Sequence, residues 1–315
     1  MSAIREKSIE ALVAAKKVIY GQEKMLDAIL AALVCEGHLL IEGMPGLGKT
    51  MSVSTMSKLC DLSYKRIQFT PDLLPSDLIG TMIYSQQREE FSTKFGPIFT
   101  QLLLADEINR SPAKVQAALL EAMAEKQVTI GDNTHKLSSP FVVLATQNPI
   151  DQEGTYQLPE AQLDRFMMKI DVDYPDFDAE KNILGQKGNF LDEIKSVLTT
   201  DDILSMKEEV ESIYIDEKIK DLIVKIVHAT RPGNEHFDKR FEGAILAGGS
   251  PRACIWMYKI SKFIAYMDNK DFVSPGHIME IVSGVLGHRL ILTYEASIDN
   301  LKGSDIAKRI AEKLV

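Results

Sequence analysis

The chain has 315 residues, 45% of them hydrophobic, which suits two domains or one large domain with an appendage around a packed core. Its formal net charge of −9 argues against nucleic acid as the main ligand, because neutralising phosphates needs a basic face. Cys35, Cys60 and Cys254 are far apart without metal-type spacing, so reduced thiols in a cytoplasmic protein are expected, without disulfide or zinc; no apolar signal core opens the chain and no run approaches the roughly 18 apolar residues of a membrane span.

In chain order, apolar residues recur at helical spacing over residues 4–18 and again over 22–34, with a break at Tyr20-Gly21. The aliphatic run Leu39-Leu40-Ile41 then leads into Gly43-Met44-Pro45-Gly46-Leu47-Gly48-Lys49-Thr50, a complete G-x-x-x-x-G-K-[ST] loop before a further helix. Chance would produce such a match in about one chain in a hundred of this length. A strand turning sharply into a helix aims backbone N–H groups and the positive helix end at an anion, and the glycines let the backbone approach phosphate oxygens. In that setting Lys49 reaches the β- and γ-phosphates and Thr50 ligates Mg²⁺.

Residues 64–69 read as a second strand, and residues 75–97, with Gly80 and Gly96, as an inserted hairpin. The strand over 101–105 ends in Asp106 and Glu107, two acids with separable work: Asp106 to hold a magnesium hydration shell, Glu107 to orient and deprotonate water. A helix over 112–125 and a hairpin over 127–139, around Gly131-Asp132-Asn133, precede the strand 141–145. At its polar tip, the Asn148 amide can bond both a γ-phosphate and the lytic water without adding charge. A fifth strand over 166–172 follows Leu163-Asp164-Arg165-Phe166; in a ring Arg165 can reach a neighbour's γ-phosphate, and otherwise it pairs with Asp164 or another acid. Short strands alternating with helices predict an α/β fold, a mostly parallel five-stranded sheet sandwiched by helices, with ligands at the carboxyl ends of its strands.

After Tyr174-Pro175-Asp176 the pattern turns helical, over 179–191, 200–210, 216–230, 251–267, 275–289 and 303–315. This divides the chain into a nucleotide-binding α/β domain, 1–175, and an all-helical domain, 176–315. Gly248-Gly249-Ser250-Pro251-Arg252 opens one helix with an arginine in its first turn, where the macrodipole disfavours it; a γ-phosphate would resolve the conflict. The six histidines lack metal spacing, and Arg110 reads as a surface salt bridge or an interface residue.

The chain resembles the MoxR-type AAA+ ATPases. The likeness runs through Tyr20-Gly21-Gln22-Glu23, residues 43–50, the stretch 69–77 (FTPDLLPSD), Ala105-Asp106-Glu107-Ile108-Asn109-Arg110, Glu121-Ala122-Met123, the stretch 154–166 (GTYQLPEAQLDRF) and Ser250-Pro251-Arg252-Ala253, with Gln157 standing where proline is expected. It implies that residues 43–50 are Walker A, Asp106 and Glu107 Walker B, Asn148 sensor 1, Arg165 an arginine finger acting in trans and Arg252 sensor 2. It places residues 18–21 in the adenine pocket, so the nucleotide-binding set is Tyr20, Gly21, Gly43, Met44, Pro45, Gly46, Leu47, Gly48, Lys49, Thr50 and Met51, with Thr50 and Asp106 at the metal. The 176–315 segment becomes a lid, and the two insertions face a central pore.

The function expected is ATP hydrolysis with Mg²⁺ by a ring, a hexamer by the resemblance, that remodels or matures client proteins, among them partners with von Willebrand factor A domains. A nucleic-acid motor or loader is disfavoured by the acidic balance, and a nucleotide-gated scaffold with little turnover by the complete set of acid, sensor and finger. GTP is disfavoured because no Asn-Lys-x-Asp string follows the phosphate loop.

Overall fold

A computed structural model describes residues 2–86, 89–149, 156–185 and 194–315. Helices α1 (Ala3–Lys16) and α2 (Glu23–Cys35) precede β1 (Leu39–Gly43), α3 (Lys49–Leu59) and β2 (Tyr64–Gln68). The first insertion forms α4 (Pro75–Ile79) and the hairpin of β3 (Gly80–Ser85) and β4 (Glu90–Phe95). Then come β5 (Leu102–Asp106), α5 (Ala113–Glu125), the second hairpin of β6 (Gln127–Ile130) and β7 (Asn133–Lys136), β8 (Val142–Gln147), α6 (Glu160–Leu163) and β9 (Met168–Val172). The remaining elements are α7 (Phe177–Gly185), α8 (Thr200–Ser212), α9 (Glu217–Ala229), β10 (Ile245–Ala247), α10 (Pro251–Met267), α11 (Pro275–Leu286), β11 (Ile291–Leu292), α12 (Tyr294–Ile298) and α13 (Gly303–Leu314).

All five expected strands join one sheet in the order β2-β5-β8-β1-β9. The ladders β2–β5, β5–β8 and β8–β1 are parallel, which needs crossover connections and covers both faces with helices. The two inner strands β5 and β8 are therefore nearly continuous aliphatic runs: Leu102 to Ala105 and Val142 to Ala145 are fully buried. Their polar residues, Asp106, Thr146 and Gln147, fall only at the carboxyl ends. The pairs Ile41↔Thr146, Leu104↔Leu144 and Gln68↔Asp106 fix the register, so the ends of β1, β2, β5 and β8 come together.

Packing divides the described chain into two compact units. One comprises Lys7–Leu158 and Ile170–Ile203, the other Met1–Glu6, Pro159–Lys169 and Leu204–Val315. The second is helical, with one antiparallel pair, β10 against β11, whose three and two residues are too short to leave an alternating pattern in sequence. Its helices open as the sequence suggests: Asp216 accepts the N–H of Lys218 at α9, and Ser250 accepts that of Arg252 at α10, with Pro251 in the first turn. The expected helix 179–191 corresponds to α7, and residues 186–191 lie outside the described residues, as do Gly154 and Thr155 of the 154–166 motif.

Candidate active site

The loop after β1 turns on two glycines, Gly46 with φ +87° and Gly48 with φ +75°, conformations that L side chains rarely adopt. Gly48 caps α3 in the left-handed region, so Lys49 and Thr50 open the helix with their N–H groups at its positive end, and no acid occupies the first turn. An anion at that end would meet no carboxylate in the helix's own first turn. The Lys49 ammonium lies back along the loop and donates to the Gly43 carbonyl. Burial pushes its pKa below the ordinary lysine value, opposed by the charges of Asp106, Glu107 and Glu42.

Opposite the loop stands the end of β5. Asp106 is mostly buried; its Oδ1 accepts the Thr146 hydroxyl at 2.6 Å, and its Oδ2 faces Arg66 of β2, with Nη2 at 2.6 Å. Glu107 adopts φ +57°, ψ +51°, a left-handed conformation that a non-glycine residue holds at a cost and that turns its side chain out of the strand. Its N–H is tied to Thr146 Oγ1 at 2.8 Å, which compensates part of that cost. The carboxylate is held by two donors: Gln68 Nε2 at 3.0 Å and Arg110 Nη1 at 2.9 Å. Arg110 is thus half of a salt bridge whose acid is Glu107.

These groups line one cleft of about 430 Å³, formed by Pro45, Gly46, Gly48, Lys49, Thr50, Met51, Arg66, Gln68, Asp106, Glu107 and Asn148. The structure therefore gathers Lys49, Thr50, Asp106, Glu107 and Asn148, which lie far apart in sequence. Gly43 and Met44 lead into the loop and Leu47 turns its side chain into the core, 7% exposed. Tyr20 and Gly21 are not among the lining residues; Gly21 sits against Pro175, where a Cβ would approach within 2.9 Å. Sequence reasoning missed Arg66 and Gln68, because only the pairing of β2 with β5 brings them to the acids. The Thr50 hydroxyl, the Asp106 carboxylate and the neighbouring acid are all oxygen donors, without thiol or imidazole, which fits a hard divalent cation such as Mg²⁺.

Arg165 and Arg252 belong to the helical unit. Arg165 follows the short α6 in a turn whose N–H bonds to Gln162. Arg252 Nη1 donates to Asp164 Oδ2 at 3.2 Å, so a carboxylate answers the conflict between this arginine and its helix end. Asp164 Oδ1 also accepts from Ser250 Oγ at 2.7 Å and from Nε of the buried Arg289 at 2.9 Å.

The sheet order, the phosphate loop on β1, the acid-tipped neighbouring strand and the helical C-terminal unit define a P-loop ATPase of the AAA+ class with its lid. Comparisons agree. The family described as ATPase family associated with various cellular activities (AAA) matches residues 38–168, and the AAA lid domain matches 238–310. The chain is 42% identical to chaperone MoxR1 of Mycobacterium tuberculosis over 94% of this chain and 79% of that one. It is 27% identical to protein MoxR of Paracoccus denitrificans, over 88% and 86%. A crystal structure of a candidate ATPase from Cytophaga hutchinsonii superposes with a TM-score of 0.92 at 46% identity, covering 98% of this chain and 94% of that one. The chain belongs to the MoxR family of AAA+ ATPases.

Proposed function

We propose that this ATPase works with Mg²⁺ as a ring of six subunits that remodels or matures client proteins; the name chaperone borne by its mycobacterial relative supports the client reading. The observation that carries the reading is the convergence of Lys49, Thr50, Asp106, Glu107 and Asn148 on one cleft. A bound Mg²⁺ supplies neutralisation of the phosphate charge. Lys49 exchanges the Gly43 carbonyl for the β- and γ-phosphates, while the N–H groups of the loop and of α3 cradle them. Thr50 and Asp106 would hold the metal. Glu107, once released by Gln68 and Arg110, takes a proton from the attacking water, and the Asn148 amide senses the γ-phosphate. From the helical unit, Arg252 serves as sensor 2 and Arg165 reaches the neighbouring protomer's site as an arginine finger. Partners with a von Willebrand factor A domain remain the first clients to try, on the strength of the family resemblance.

The test is Glu107→Gln. Removing the general base should lower hydrolysis by about 10²- to 10⁴-fold and leave ATP binding intact. The ATP-loaded variant, which traps the bound state, should give six subunits by mass measurement and should retain a protein client in pull-downs. Undiminished hydrolysis in Glu107→Gln would overturn the assignment of the base. Hydrolysis independent of protein concentration that survives Arg165→Ala would overturn the shared site, and recovery of nucleic acid instead of protein would overturn the client reading.

A further inference from the structure

Arg66 stands on β2 with Leu104 as its ladder partner, on the strand beside the one that ends in Asp106 and Glu107. Its guanidinium places both Nε, at 3.1 Å, and Nη2, at 2.6 Å, on the same oxygen, Oδ2 of Asp106. Nη2 also reaches Gln68 Oε1 at 2.9 Å, and that amide's Nε2 donates to Glu107. Two side chains of β2 thereby engage both acids at the end of β5. The engagement is unequal. Oδ1 of Asp106 accepts one bond, from the Thr146 hydroxyl, whereas Oδ2 carries both guanidinium contacts, so a cation or its hydration water arriving at Oδ2 meets Arg66 there.

A guanidinium and a divalent cation at one carboxylate oxygen repel each other, and the protein dielectric around a mostly buried aspartate makes that repulsion larger than in water. The side chain of Arg66 is 47% exposed, against 13% for Asp106, so the arginine can swing into solvent on its flexible stem while the aspartate cannot follow it. We propose that Arg66 is the resident counter-cation of Asp106, which a divalent ion must displace from Oδ2, so that Arg66 sets the Mg²⁺ concentration at which the cleft loads metal with nucleotide. This rests on the reading of the cleft as a Mg²⁺–ATP site. Arg66 acts through Asp106 and is a positioning residue for the metal, bonded to no reacting atom.

The experiment uses the full chain, ATP and Mg²⁺, with wild type, Arg66→Gln and Arg66→Lys compared by isothermal titration calorimetry. ATP affinity is first measured in EDTA, then the Mg²⁺ midpoint for the metal-dependent gain in ATP affinity. Removing a half-exposed competitor should lower that midpoint about three- to fivefold in Arg66→Gln, with metal-free affinity unchanged. Arg66→Lys keeps the charge without the fork and should restore most of the wild-type midpoint. Mn²⁺ binding followed by electron paramagnetic resonance should shift in the same direction, a readout independent of turnover. An unchanged or raised midpoint in Arg66→Gln would overturn the proposal, as would a loss of metal-free ATP affinity at constant midpoint, which would make Arg66 a phosphate ligand. If wild type shows no metal dependence, or Lys49→Ala binds ATP as wild type does, the reading of the cleft itself fails instead.

Discussion

Each compact unit centres on an aspartate that holds arginine, and the two pairs differ in what surrounds the guanidinium. In the sheet unit Asp106 meets Arg66, whose side chain is 47% exposed; in the helical unit Asp164 meets Arg289, whose side chain is 1% exposed. Arg289 spends every donor it has. Nε goes to the Asp164 carboxylate, Nη1 to the carbonyls of Met167 and Val285, and Nη2 to those of Asp164 and Phe166. Burial lowers its pKa to about 10, opposed chiefly by Asp164, and at neutral pH it stays charged. A pair so enclosed fixes the turn that carries Arg165, whereas a pair open on one side can be exchanged.

The largest expected effect tests that contrast. Arg289→Ala removes the donors of four carbonyl groups and leaves a carboxylate short of a partner, which should cost the helical unit about 3–5 kcal/mol. The only tryptophan, Trp256, lies on α10 in that unit, so its fluorescence during urea unfolding reads the loss directly. Arg66→Ala should cost under about 1 kcal/mol by far-UV circular dichroism, since solvent replaces the exposed guanidinium. Equal costs would remove the distinction between a fixed and an exchangeable pair.

Acid should strain both units through buried imidazoles. In the sheet unit, His38 precedes β1; its Nδ1 accepts the Val143 N–H at 3.0 Å and its Nε2 faces the Met123 carbonyl at 3.3 Å, so the proton of the neutral ring sits on Nε2. Burial lowers its pKa to about 4. The depressed value means that the unfolded chain takes up the proton first. The stabilisation is complete above about pH 6.5 and is lost as pH falls towards 4, amounting to about 3 kcal/mol. In the helical unit the pKa of His288 is also lowered well below the usual value, first by burial and then by the charge of Arg289. Urea midpoints should therefore fall from pH 6.5 to 4 in both units, and His38→Gln, whose amide can bond both backbone partners, should make the circular dichroism profile less steep while leaving the Trp256 profile falling as in wild type. A slope unchanged in both would refute the assignment.

Much of this contrast is invisible in sequence. The phosphate loop is legible because its eight residues are contiguous and each has a local conformational reason, and the inner strands β1, β5 and β8 are legible because burial on both faces makes them nearly continuous aliphatic runs. Arg66 and Gln68 carry no such mark: β2 reads Tyr-Lys-Arg-Ile-Gln, and only the strand order sets it beside Asp106 and Glu107. Arg110 could be read as half of a salt bridge, but Glu107 as its partner depends on the short 3₁₀ turn Ile108–Arg110. Arg289 ends a helical pattern where a cation is expected for the helix dipole, which conceals that it is buried. Asp164 is adjacent to Arg165 in sequence, and the fold adds Arg252 and Arg289 to it across 88 and 125 residues.

The smaller effects concern the hydroxyls that complete each aspartate. Thr146 donates to Asp106 Oδ1 and accepts the N–H of Glu107; Ser250 donates to Asp164 Oδ1 and accepts the N–H of Arg252, at 3.1 Å. The wiring is the same in both units, and the burial again differs, since Thr146 is 1% exposed and Ser250 is partly open. Thr146→Val takes the donor from a buried carboxylate oxygen and the acceptor from the part-buried Glu107 N–H, so it should cost about 1–3 kcal/mol and loosen the strained backbone of Glu107 as well. Ser250→Ala loses a helix cap that water can partly replace, at about 1 kcal/mol. Conservative exchange separates the two bonds at the lid: Ser250→Asp can still cap α10 but sets a second carboxylate against Asp164. If Ser250→Asp unfolds earlier than Ser250→Ala by Trp256 fluorescence, repulsion between the two carboxylates outweighs the restored cap; the reverse order would show that the cap is the larger of the two, with Arg252 and Arg289 neutralising the added charge.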